Sequence, residues 1–315
     1  MIRNISPHFP PLSAGERWFA WEGMTMVVPR GWNPAVLQKD YLRLEDARRP
    51  TLELRWRFSA RKASIQEVAR AYVSRLEEGL GGRPVAGFEE VDLAPVTDNY
   101  EVAPFSVEAG EMIFRGAAIL CPRCGRIVFL QAGMPRTEGT ISLPVRIISS
   151  FRDFHSSDWV PWTLFDIGAD VPGDFRLHSH SFQPGYFRMT FREGSRWMTL
   201  HRWAPADVIL RRTSLEEWAA AQYRKEIKRR GRTLVQRGFA GFPAVEVIPG
   251  QGGTLIRRLG RTLLSAGRFR ALLWHNTEAN RVFGVETEGR GSAMNPLLYE
   301  VAGRFKALHE HERQK

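Results

Sequence analysis

The sequence predicts an α+β protein of two tandem domains with the same topology, each a mainly antiparallel sheet flanked by helices (an α/β/α sandwich). Three observations predict it. At 315 residues the chain is long for one core, since domains of ~100–200 residues are usual. Strand-like and helix-like segments follow one another as strands, helix, strands, helix, an order that favours antiparallel pairing with helices packed on the sheet. That order occurs twice, with matching landmarks.

The landmarks keep their order throughout. MVVPRGWN at 26–33 is echoed by ADVPGDFR at 169–176, and DYLRLED at 40–46 by GYFRMTF at 185–191. SIQEVARAYVSRLEEGLGG at 64–82 is echoed by SLEEWAAAQYRKEIKRRG at 214–231. CGRIVFLQ at 124–131 is echoed by ANRVFGVE at 279–286, and SSFRDF at 149–154 by GRFKAL at 303–308. One match is chance; five in order mark a duplication. The polar bridge HSSDWVP at 155–161 divides the domains into 1–157 and 158–315.

Within each copy the elements follow from local pattern. An opening hairpin carries VVPRGW. TLELRWRF then alternates, with Leu52, Leu54, Trp56 and Phe58 on one face and Thr51, Glu53, Arg55 and Arg57 on the other, as a half-buried strand does. Next, Ile65, Val68, Tyr72, Leu76 and Leu80 recur at helical spacing. Ser64 with Glu67 reads as a capping box, and Gly79, Gly81 and Gly82 as the stop. Ser214 with Glu217 and Gly231 repeat both signals. GEMIFRGAAIL and GRIVFLQAG are further strands, and LPVRIISSFRDF and NPLLYEVAGRFKAL are closing helices.

This element order, with VVPRGW in the opening hairpin, resembles the PsbP/DcrB-like family of α/β/α sandwiches over both copies. Members of that family include a photosystem II subunit, a factor acting on the GTPase Ran, and chaperones of type VI secretion effectors. The resemblance implies a non-enzymatic binding or adaptor protein. It carries over no functional residue, because the family has no shared catalytic motif.

Composition narrows the classes. The opening MIRNISPHFPPLSAGERWF interrupts the apolar run that a secretory signal needs, and no stretch is apolar for the ~18–20 residues that span a bilayer. Two cysteines are too few for a disulfide framework. The expectation is a cytoplasmic protein with no membrane partner. The net charge of +11 is uneven: 20 Lys+Arg against 18 Asp+Glu before Asp158, and 25 against 16 from there on. Arginine supplies 39 of the 45 basic residues, which suits phosphate recognition and equally follows from a GC-rich coding sequence.

The two cysteines sit in CPRCG at 121–125. Thiolates two residues apart can chelate one tetrahedral zinc. Completing four ligands requires histidines or the CPRCG of a second chain, as in a homodimer. The stretch WHNTEANRVFG in the second copy lacks both cysteines, with His275 within about one residue of the position matching Cys121. Three readings stay open: zinc bound by Cys121 and Cys124, a redox pair, or a hairpin turn with free thiols. Pro122 and Gly125 suffice for the turn. The redox reading is poorly placed, since a reactive CxxC usually opens a helix.

Other candidates are weaker. His178 and His180 on a strand, and His309 and His311 in the tail, have no complete metal-ligand spacing. There is no GxSxG, GxxxxGK[ST] or complete GxGxxG; PGQGG at 249–253 lacks the helix that phosphate binding requires. Differences between the copies are more telling. RWMTLHRW, aligned on TLELRWRF through Met198 with Leu52 and Leu200 with Leu54, turns Trp197, His201 and Trp203 to the face where the first copy has Glu53, Arg55 and Arg57. A helix of the same domain, the other copy or a protein partner must cover that face. After the first helix, FEEVDLAPVTDNYE is acidic, whereas the second copy has Arg224, Lys225, Lys228, Arg229, Arg230, Arg232 and Arg237. These cations serve either the helix dipole or a phosphate-binding face. The first expectation is a non-catalytic adaptor or chaperone-like protein with a protein partner. The alternatives are a nucleic-acid binder using the basic face, with only weak non-specific attraction expected, and an enzyme with a site between the copies.

Overall fold

The alternating apolar residues of the sequence become the inner faces of antiparallel sheets. The structure, a computed structural model, describes residues 11–46, 51–59, 64–85, 87–88, 90–94, 96–138, 140–155, 157–250, 269–289 and 294–308. His309, His311, Glu89 and the part of PGQGG beyond Gly250 lie outside the described residues. The chain divides into two compact units, Met1–Phe165 and Asp166–Lys315. The division falls after Phe165 rather than after Ser157, because the strand Trp159–Leu164 joins the first unit by pairing with its opening hairpin, Ala20 opposite Thr163.

In the first unit, β1 (Glu16–Trp21) and β2 (Met24–Pro29) form that hairpin around Glu22 and Gly23, both at positive φ as a two-residue hairpin turn demands. There follow β3 (Asn33–Leu37), β4 (Tyr41–Glu45), β5 (Thr51–Phe58), α1 (Ile65–Leu80), β6 (Arg83–Pro84), β7 (Glu101–Ala109), β8 (Met112–Leu120), β9 (Arg126–Pro135), α2 (Ser142–Ser149), β10 (Arg152–Asp153) and β11 (Trp159–Leu164). One sheet has the order β3-β4-β5-β9-β8-β7-β6; beside it β10, β2, β1 and β11 are neighbours in that order. Leu52, Leu54 and Trp56 of β5 are buried as their alternation requires, but Phe58 at its end is 53% exposed. There it packs against His155 and the guanidinium of Arg126.

The second unit contains β12 (Ile167–Pro172), β13 (Arg176–Gln183), β14 (Tyr186–Glu193), β15 (Arg196–Trp203), α3 (Ala206–Ile209), α4 (Leu215–Gln222), α5 (Arg224–Arg230), β16 (Arg232–Phe239), β17 (Phe242–Pro249), β18 (Arg270–Asn276), β19 (Arg281–Glu288), α6 (Met294–Arg304) and β20 (Lys306–Ala307). Its seven-stranded sheet, β13-β14-β15-β19-β18-β17-β16, repeats the order of the first position for position. β20 pairs with β12, Ile167 opposite Ala307.

Register refines the sequence echoes. Leu54 faces Leu130 and Leu200 faces Val285, so β5 matches β15 and Arg126 matches Arg281 as their spacing predicts. The echo of DYLRLED is displaced by two residues: Leu42 faces Leu54, whereas Met189 faces Leu200, so Met189 and not Phe187 is the counterpart of Leu42. The side-chain period of two keeps the buried face correct in both alignments, which is why the slip is invisible to pattern.

The helix caps also differ from expectation. Ser214 accepts from the Glu217 N–H at 3.1 Å while Glu217 accepts from the Ser214 N–H at 2.9 Å, a complete capping box. Ser64 makes no side-chain cap bond, and its hydroxyl turns to Gln66 instead. Both helical segments end on a left-handed glycine, Gly81 at φ 62° and Gly231 at φ 60°.

Candidate functional site

The aromatic face of β15 is covered by the second unit's own helices. Trp203 meets Trp218 of α4 edge to face at 5.0 Å and packs on the core of Ala219, Tyr223, Val245, Val247 and Leu273. His201, expected on a partner surface, is 5% exposed. Its ring lies against those of Tyr186 and Trp203, which also stack on each other, while Tyr186 Oη lies 2.9 Å from its Nδ1 and Glu286 Oε1 lies 3.1 Å from its Nε2. Tyr223 donates to the same Glu286 oxygen at 2.7 Å. Burial raises the Glu286 carboxyl, but the adjacent His201 and the hydrogen bond from Tyr223 outweigh it and hold the group below its ordinary value. Burial drives the Tyr223 hydroxyl well above its usual range, so it stays a donor. Trp197 lies apart from this stack, against His178 and the Arg192 guanidinium.

The first unit places an amide where the second has the carboxylate, with Glu53 accepting from that amide at 3.5 Å. Gln131 stands where Glu286 stands by register, and Tyr72 of α1 donates to its Oε1 at 3.1 Å. Arg55, at the position of His201, lies over Tyr41 at 4.3 Å. Burial raises Tyr72 to about 12. Sequence reading singled out His201 but missed Glu286, Tyr223 and Tyr186. Their only signal was a tyrosine midway along each echoed helix.

CPRCG closes the β8–β9 hairpin. Cys121 N–H donates to Arg126 O at 2.9 Å, Gly125 N–H to Cys121 O at 2.9 Å, and Gly125 takes φ 71°. Asp153 of β10 comes to the turn, and the two Sγ atoms and an Asp153 carboxylate oxygen all lie within 4.8 Å of one another. Cys124 Sγ donates to Asp153 Oδ2 at 3.4 Å. Asp153 Oδ1 accepts from Arg126 Nη1 at 3.2 Å and from the His155 N–H at 2.9 Å. Arg126 also donates to Glu22 O at 2.9 Å, and both side chains of the Arg126–Asp153 pair are 1% exposed. The mutual interaction of the two thiols lowers Cys121 to about 6 and raises Cys124. His275 lies one residue from the position matching Cys121: it pairs with Val282, and Asn276, opposite Arg281, holds that position itself.

A third feature lies between α1 and β7. β6 pairs with only Val107 and Glu108, and Val85 N–H extends that pairing to Ser106 O at 3.0 Å. A residue in an antiparallel strand points its N–H and C=O to one side, and this side alternates. Val102 and Pro104 therefore point the same way as Ser106, and among the described residues no backbone group meets them there. Pro104 is tolerated in mid-strand because the N–H it lacks would face that edge. A groove of about 560 Å³ follows the edge, lined by Ala69, Arg70, Val73 and Glu77 of α1 and by Val102–Ser106. In the second unit, β16 covers the matching strand β17 along its whole length, from Arg232 opposite Pro249 to Phe239 opposite Phe242.

The basic residues are divided. Arg224, Lys225 and Lys228 of α5 are exposed, and Arg229 and Arg230 close the same helix. Arg232 opens β16, and Arg237 is held at 2.6 Å by the buried Glu246, which also meets Arg270.

No family profile and no curated protein matches the chain. Among solved structures, it is similar to the Ran-binding protein Mog1p of Saccharomyces cerevisiae at 13% identity and a TM-score of 0.34, covering 45% of this chain and 96% of that one. It is also similar to the immunity protein TplEi of the type VI secretion system of Pseudomonas aeruginosa at 10% identity and a TM-score of 0.31, covering 93% of this chain and 97% of that one.

Proposed function

We propose that the chain is a non-catalytic, cytoplasmic adaptor or chaperone-like protein, a tandem duplication of PsbP/DcrB-like α/β/α sandwiches. Its first unit receives an extended peptide of a protein partner as an added strand on β7. The observation that carries this reading is the contrast at the sheet edge. Where β17 is covered by the eight-residue β16, β7 is covered among the described residues only near Val107 and Glu108 and borders a groove against α1. Strand addition takes affinity from main-chain bonds and specificity from alternate side chains. Here the edge offers the Val102 N–H and the carbonyls of Val102 and Pro104, and Ala69 and Val73 form an apolar wall.

Charge sets the direction of the guest. α1 runs towards Gly81 and β6, so Glu77 lies towards the Pro84 end and Arg70 towards the Val102 end. A peptide antiparallel to β7 therefore fits with a cation in its amino-terminal half and a carboxylate in its carboxy-terminal half. The test is selection of a displayed random-peptide library on the full chain. Selected peptides should protect the Val102 amide from hydrogen exchange and should lose binding in Val73→Arg. Arg70→Glu with Glu77→Arg should reverse their charge preference. Failure to select peptides, or binding indifferent to Val73→Arg, overturns the reading.

A further inference from the structure

The matching positions of the second unit bear on what the Cys121, Cys124 and Asp153 donors are for. There the hairpin turn is made with Asn276 at the place of Cys121, its Oδ1 accepting from the Ala279 N–H at 2.9 Å. Ala279 stands for Cys124 and Asn280, at φ 53°, for Gly125. β20 repeats the pairing of β10: Ala307 faces Ile167 as Asp153 faces Met24. The same turn and strand thus form with no thiol and no carboxylate, so the fold does not require the three donors of the first unit. They nonetheless converge in it. Asp153 is fixed through Oδ1 by Arg126 and the His155 N–H, which leaves Oδ2 directed at Cys124.

We propose that Cys121 Sγ, Cys124 Sγ and Asp153 Oδ2 bind one zinc ion per chain, with water as the fourth ligand. Zinc at about 2.3 Å from sulfur and about 2.0–2.2 Å from oxygen spaces tetrahedral ligand atoms about 3.5–3.8 Å apart. The observed 3.4 Å between Cys124 Sγ and Asp153 Oδ2, and the 4.8 Å bound on the whole set, need only small side-chain adjustments. The divalent ion replaces the thiol protons, and Arg126 acts as the outer-shell partner that orients the carboxylate. A redox role fits less well, because the residues after Cys121 lead into the strand β9 rather than into a helix. The ion would tie the β8–β9 turn to β10 within the first unit, where a hydrogen-bonded thiol otherwise makes the link.

The test begins with metal-free full-length protein titrated with zinc and, separately, with cobalt(II). One equivalent per chain and a thiolate-to-cobalt charge-transfer band are expected. Zinc should also raise the melting temperature. Cys124→Ser, at a half-buried position, should weaken binding by more than the roughly 10–100-fold typical of losing an outer-shell partner. Asp153→Asn should weaken binding and shift the cobalt spectrum. Should that variant fail to fold, the cobalt spectrum of the unaltered chain still distinguishes two sulfurs from four. Absence of stoichiometric binding overturns the proposal. So does one zinc per two chains with a four-sulfur spectrum, since two CPRCG turns would then bind it without Asp153.

Discussion

Glu286 and Gln131 occupy one strand position in two settings, and the difference between carboxylate and amide changes what the tyrosine above each contributes. Tyr223 donates to a charged acceptor that burial disfavours and that His201 and Tyr223 sustain. Tyr72 donates to a neutral amide. Hydrogen bonds to charged groups contribute more than neutral ones, so Tyr223→Phe should cost about 1.5–3 kcal/mol and Tyr72→Phe about 0.5–1.5 kcal/mol. Urea denaturation of the two variants checks this; equal losses, or the reverse order, would show that His201 alone supports Glu286. The sequence displayed each of these residues. Glu286 and His201 are far apart in it, however, and only the pairing of β15 with β19 joins them.

At the scale of elements, identical signals had unequal outcomes. Ser64-x-x-Glu67 and Ser214-x-x-Glu217 are the same capping motif, yet only the second closes its reciprocal bonds. Ser214→Ala should therefore cost about 1 kcal/mol, the usual value of an N-cap, while Ser64→Ala should change stability by less than about 0.5 kcal/mol. Thermal melts of both variants measure this, and equal costs would mean that Ser64 caps its helix in solution. The strands were legible from alternation and the helix ends from Gly81 and Gly231. What alternation could not show was the extent of pairing. The run after Gly231 builds the full strand β16. The corresponding run after Gly81 gives two paired residues, then has Phe88, Leu93 and Val96 buried, and among the described residues leaves most of the β7 edge uncovered.

For the whole molecule, the excess of cations in the second half is a surface property. Arg237 is already held by Glu246, and the exposed Arg224, Lys225 and Lys228 remain as a short track on α5. Binding to a single-stranded DNA 30-mer should be weak, with a dissociation constant of about 10⁻⁴–10⁻⁶ M at physiological salt, and should fade as salt rises. Lys225→Glu with Lys228→Glu should flatten the salt slope, and a nanomolar complex would refute the adaptor reading. The sequence by itself determined the doubled pattern, most of the order of elements and most of the buried faces, because these rest on local periodicity and spacing along one chain. It did not show that the two closing helices stop at Ser149 and Arg304 and give way to the short strands β10 and β20, or that Phe58 is exposed. Tertiary structure alone decided which residues meet: Asp153 with the CPRCG thiols, His201 with Glu286, and β7, among the described residues, with only the two-residue β6 at its edge. Each depends on strand register and on backbone pairing between segments distant in sequence, to which side-chain periodicity is blind.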